Sequence, residues 1–133
     1  MKNVQKYIEY WQNAADRSWK TAEDLLQTKH YDACLFFCHL SVEKALKGLF
    51  TRENNSPVPF IHVFVKIAHL AKLELNEKQI TQLREITTFN IAGRYDDEKL
   101  SFYKKCTKKF TKSKFIMVKE IFLWLRKEYQ KKS

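Results

Sequence analysis

Residues 31–50 read YDACLFFCHLSVEKALKGLF, and the fold turns on how this stretch is understood. Tyr31, Leu35, Cys38, Val42, Ala45 and Leu49 recur at intervals of four and three, the apolar stripe of a core helix. On another side His39, Glu43 and Lys47 recur every fourth residue. A polar stripe therefore crosses a helix that is otherwise apolar. An isolated charge is costly to bury, so these groups are expected to open onto a groove or to meet partners such as Arg94. The plainer alternative is a solvated face carrying two i,i+4 pairs, His39 with Glu43 and Glu43 with Lys47.

Upstream, Val4, Ile8, Trp11, Ala15, Trp19, Ala22 and Leu26 form one stripe, which predicts a first helix from about Asn3 to Gln27. Downstream, ENNSPVP at residues 53–59 is the clearest break in the chain. A short third helix is expected over 61–73, with Phe60, Phe64, Ile67 and Ala71 inward and His62, Lys66 and His69 on the other side. Asn76 with Gln79 has the pattern of a capping box, and Leu75 with Ile80 that of a hydrophobic staple, so a fourth helix starts there. A turn follows at residues 90–98, NIAGRYDDE, with Arg94 and Tyr95 at its centre. The last helix is expected to begin between Asp97 and Lys104 and to reach about Gln130, with Thr107 or Thr111 capping a restart if it is broken. At 100° per residue Tyr103, Cys106, Phe110, Met117, Ile121 and Trp124 share its core face. Phe115, Phe122 and Leu123 then project outward beside Lys119, an apolar patch that suggests a homodimer contact.

The 133 residues fit a single domain spanning 1–133, large enough to bury its own core. Two Gly and two Pro, with 44% hydrophobic and 14% aromatic residues, exclude disorder and favour a mostly helical chain. No stretch approaches the roughly 18 apolar residues of a membrane span, and the first residues lack the apolar core of a signal peptide, so a cytoplasmic location is expected. Cys34, Cys38 and Cys106 sit among Leu and Phe and read as reduced core thiols. Cys34 and Cys38 alone do not complete a zinc pattern, and no metal or cofactor is expected. The net charge of +10 comes entirely from residues 99–133, which hold 12 Lys or Arg against 2 Asp or Glu. A basic last helix suits nucleic acid or an acidic partner. The 20 Lys against 5 Arg, however, also fit an AT-rich coding bias.

These features together resemble a HEPN domain. The residues that carry the resemblance are Trp19, Ala22, Asp24 and Leu25, then Tyr31, Ala33, His39, Glu43, Lys44, Ala45 and Lys47, His62 after the Pro break, and Arg94 with Tyr95. The resemblance implies an all-α, antiparallel up-down four-helix bundle with a short additional helix. It further implies a dimer, paired with a minimal nucleotidyltransferase in a two-component module of toxin–antitoxin type. Many members of the family are metal-independent endoribonucleases that use an arginine followed, after four to six residues, by a histidine. Arg94 matches the arginine, but Lys99, Leu100 and Ser101 stand at the histidine positions. An imidazole that titrates near neutrality contributes about 10² to 10⁴ in rate as general acid or base; a lysine amine, with a reference pKa of about 10.4, is a poor replacement.

The sequence thus points to a non-catalytic HEPN protein that binds a nucleotide or RNA phosphate and pairs with a nucleotidyltransferase. Lys47 and Arg94 would meet the phosphate and Tyr95 would stack on a base, with Lys44 and His62 as further candidates and His39 and Glu43 lining the polar groove. Two alternatives stand beside it: an endoribonuclease toxin with a non-standard general base, and a pure interaction module using the basic last helix.

Overall fold

Helices form where apolar periodicity is sustained and stop where caps intervene, as the computed structural model shows for residues 2–131, the part of the chain it describes. The six helices are α1 (Val4–Gln27), α2 (Tyr31–Asn54), α3 (Phe64–Leu70), α4 (Glu77–Thr87), α5 (Asp96–Lys105) and α6 (Lys108–Gln130), and the described residues contain no strand. The architecture is an all-α bundle. α2, apolar around most of its circumference, is the central element and packs against each of the other five helices.

The scarcity of glycine shows at the helix ends. α1 closes with Lys29 in the left-handed region, φ 65°, while the N–H groups of His30 and Lys29 return to the carbonyls of Leu25 and Leu26 at 2.9 and 3.2 Å. α3 closes identically, with Lys72 at φ 58° and Leu73 and Lys72 bonded to Ala68 and His69. Both are Schellman closures in which lysine takes the position usually held by glycine, accepting a steric cost of roughly 1 kcal/mol. α4 starts with the expected capping box: Asn76 Oδ1 accepts from Gln79 N at 2.8 Å and Gln79 Oε1 from Asn76 N at 3.0 Å.

Three expectations are corrected. Phe60 is not inward; it lies in the extended segment before α3 and is 93% exposed. The C-terminal helix is broken at Cys106 and Thr107, and Thr107 caps the restart by accepting from Phe110 N at 3.2 Å. That break resets the helical phase. The buried side of α6 is therefore Thr111, Val118, Ile121, Phe122 and Leu125, with Tyr103 left exposed. Phe122 is only 2% exposed. Its ring stacks on Trp19 of α1 with centroids 5.0 Å apart, and half-buried Phe115 stacks on the same indole at 4.8 Å. These rings form the α1–α6 seam, reinforced by Arg126 to Asp16 at 3.0 Å, and Phe122, sealed within it, does not face outward as a dimer contact would. Leu123 remains exposed and shares its outer face with Ile116, seven residues earlier and 67% exposed.

All three cysteines are buried free thiols. Burial pushes the Cys106 thiol up to about 11. No helix among the described residues is long and apolar enough to cross a membrane.

Candidate functional site

A spacing of four advances 400° around a helix, so the polar stripe of α2 drifts about 40° per step and winds from the core toward the surface. His39, at the inner end, is 2% exposed. Its ring lies parallel to Phe64 at 5.2 Å and near Phe36 at 5.7 Å. Burial lowers its pKa, against the opposing pull of the Glu43 carboxylate and the Phe36 carbonyl, and its Nδ1 has no hydrogen-bond partner. His39 is thus a neutral core histidine.

This has a pH consequence. A histidine whose pKa is depressed on folding stays neutral in the native chain while its unfolded counterpart takes up a proton near pH 6.5. Stability contributed at neutral pH is therefore lost as pH falls below about 6.5, by up to about 1.4 kcal/mol per pH unit until the folded value is reached. Urea midpoints of the wild type should drop between pH 7.5 and pH 5.5 by more than those of His39→Phe. Equal drops would show that His39 titrates alike in both states.

Glu43 is buried one turn on and lies between Lys47 and the His62 ring: Lys47 Nζ is 3.8 Å from one carboxylate oxygen and His62 Nδ1 3.7 Å from the other. Lys47 also sits 5.2 Å from the centre of the Trp11 ring. Here the stripe opens onto a groove of about 470 Å³ between the start of α1, the end of α2 and the proline segment 57–62, with Tyr7, Trp11, Lys47, Thr51, Phe60 and His62 among its lining. Thr51 was missing from the expected site, although it continues the spacing 39, 43, 47 by one more step of four. Trp11, Tyr7 and Phe60 carried no comparable signal, because contact among α1, α2 and a loop is a tertiary fact.

Arg94 does not join this groove. Its Nη2 donates to the Thr88 carbonyl at 2.9 Å, and it lines a separate hollow of about 430 Å³ with Asp97, Glu98, Ser101, Phe102 and Lys105. The expected Arg94–Glu43 pair is absent among the described residues, and Lys47 and Arg94 do not converge within one chain. Tyr95, the residue preceding α5, is exposed. Lys44 also departs from the groove: its Nζ donates to Ser18 Oγ at 2.8 Å across the α1–α2 seam, where burial, then the Arg17 charge, lower its pKa. Among the described residues no group of three His, Cys, Asp or Glu side chains is placed to hold a metal ion.

The HEPN domain family matches residues 8–129, and the chain belongs to that family. The crystal structure of TT1696 from Thermus thermophilus is similar over 96% of this chain and 98% of that one, with a TM-score of 0.71 at 19% identity, a likeness of fold. No curated protein matches the chain in sequence.

Proposed function

We propose that this is a non-catalytic HEPN protein of the cytoplasm, one helical domain acting as a homodimer, that binds a nucleotide or RNA phosphate and pairs with a minimal nucleotidyltransferase in a module of toxin–antitoxin type. The observation that supports this best is the setting of Arg94. Its guanidinium is steadied by a neutral carbonyl and forms no ion pair among the described residues, which leaves its charge available to a phosphate. Exposed Tyr95 offers a ring for stacking beside it, and Lys105 adds a second cation to the hollow, against the carboxylates of Asp97 and Glu98 in the same lining. The hollow holds no imidazole: Ser101 lines it, His39 is sealed against Phe64, and His62 belongs to the other groove. Arginine stabilises charge but does not shuttle a proton near neutrality.

The expected result is that purified protein leaves RNA uncleaved above background, that Arg94→Ala does not change this, and that Arg94→Ala weakens RNA binding severalfold while co-expressed nucleotidyltransferase copurifies with the wild type. Metal-free cleavage abolished by Arg94→Ala would overturn the non-catalytic reading.

A further inference from the structure

The groove between α1, α2 and the proline segment is a second site, built differently from the hollow around Arg94 and sharing no lining residue with it. Its walls are aromatic and apolar, from Tyr7, Trp11, Val58 and Phe60, and its volume suits a small ligand rather than a polymer. Two features of its lining are unexplained by packing alone.

The first is Thr51. It is 1% exposed, and its hydroxyl is buried without a hydrogen-bond partner. Three threonines on these helices satisfy themselves on the carbonyl four residues back, Thr21 on Arg17 at 3.1 Å, Thr81 on Glu77 at 3.1 Å and Thr87 on Leu83 at 2.9 Å, whereas Thr111 of α6 shares the unpaired state of Thr51 but lines no groove of this kind. Thr51 makes no such bond. A buried unpaired hydroxyl is a cost that valine, of the same shape, would avoid. The second is the looseness of the contacts to Glu43. Lys47 and His62 stand 3.8 and 3.7 Å from Glu43, beyond the usual 2.7–3.2 Å of a formed hydrogen bond, so both keep donors to spare. Phe60 stands almost fully exposed at the rim, edge-on to His62 at 4.6 Å, an apolar ring with nothing over it.

We propose that this groove binds a small aromatic anion: one planar ring system between Trp11, Tyr7 and Phe60, its single phosphate or carboxylate on Lys47 and His62, and a polar atom bonded to the Thr51 hydroxyl. The site shares no residue with the hollow around Arg94 and is independent of what Arg94 does.

Titration calorimetry on the intact protein tests this with adenosine monophosphate and indoleacetate as probes, and with inorganic phosphate and indole as their separate halves. At least one whole probe should bind one to one with a dissociation constant of about 1 mM or tighter, and the halves much more weakly. Saturation by adenosine monophosphate alone would assign a nucleoside phosphate, and by indoleacetate alone an aromatic carboxylate. Thr51→Val should weaken binding about threefold to tenfold, the worth of one hydrogen bond, and leave the fold intact. Lys47→Gln should weaken it at least about tenfold, the range of a charge-assisted bond. Arg94→Ala should leave it unchanged. Absence of saturable binding by both probes, or binding indifferent to both Thr51→Val and Lys47→Gln, would overturn the proposal.

Discussion

Replacing Phe122 by Ala should lower the stability of the chain by about 3–5 kcal/mol, the range for deleting a buried aromatic ring and leaving a cavity. The ring is sealed between α6 and α1, stacked on Trp19, with the Arg126 guanidinium 4.8 Å from its centre. Phe122→Glu should fail to fold, because a carboxylate would be buried there without a partner. The surface substitution Ile116→Glu should leave the unfolding midpoint within experimental scatter and act only on assembly, shifting a dimer toward monomer if the Ile116–Leu123 face is the contact. Urea titration with sedimentation separates the two effects. A loss below about 1 kcal/mol in Phe122→Ala would mean the seam is not packed as described.

The next largest effect is expected from Gly48→Ala. Gly48 sits where α1, α2 and α6 meet. A Cβ there would overlap the Tyr129 hydroxyl and stand 3.0 Å from Trp11 Cβ. That hydroxyl is fixed, donating to the Ala45 carbonyl at 2.6 Å, and burial raises its pKa so that it remains a donor. Alanine gains about 1 kcal/mol in helix propensity, but overpacking costs about 1–3 and the lost hydrogen bond about 0.5–1.5, so a net loss of about 2 kcal/mol is expected. Adding Tyr129→Phe removes the overlapping oxygen, and the double variant should recover about 1 kcal/mol relative to the sum of the two singles. Strict additivity would show that the hydroxyl is not what Gly48 accommodates.

What the sequence made legible was local. Asn76 with Gln79 was readable, and Thr107 was one of two caps offered for a restart, because a cap is decided within one turn, by a side chain and the backbone beside it. The phase of α6 was not readable. From Phe115 to Leu125 apolar residues occur on most of the circumference, and extending one periodicity from Tyr103 through Met117 assumes a continuous helix. Two non-helical residues at 106 and 107 suffice to turn Phe122 inward and Tyr103 outward. The candidate site divided along the same line. Spacing along α2 gave His39, Glu43 and Lys47, and its extension gives Thr51. Whether Arg94 met them depended on how the 88–95 turn folds back, and there the Thr88 carbonyl holds the guanidinium at a different hollow.

The joint at Cys106 and Thr107 also sets how α5 is attached. α5 contributes one buried side chain, Phe102, touches the bundle chiefly at α2, and is not continuous with α6. An element fastened so lightly is released in a local opening that costs far less than global unfolding. Arg94, Tyr95 and Lys105 bracket that element, so the free energy of gripping an anion there and the free energy of clamping α5 to α2 are a single linked quantity. An anion held across residues 94 and 105 would fasten α5 by mass action, and a substitution that loosens Phe102 would weaken anion binding to the extent that it lowers the fraction of molecules with α5 closed.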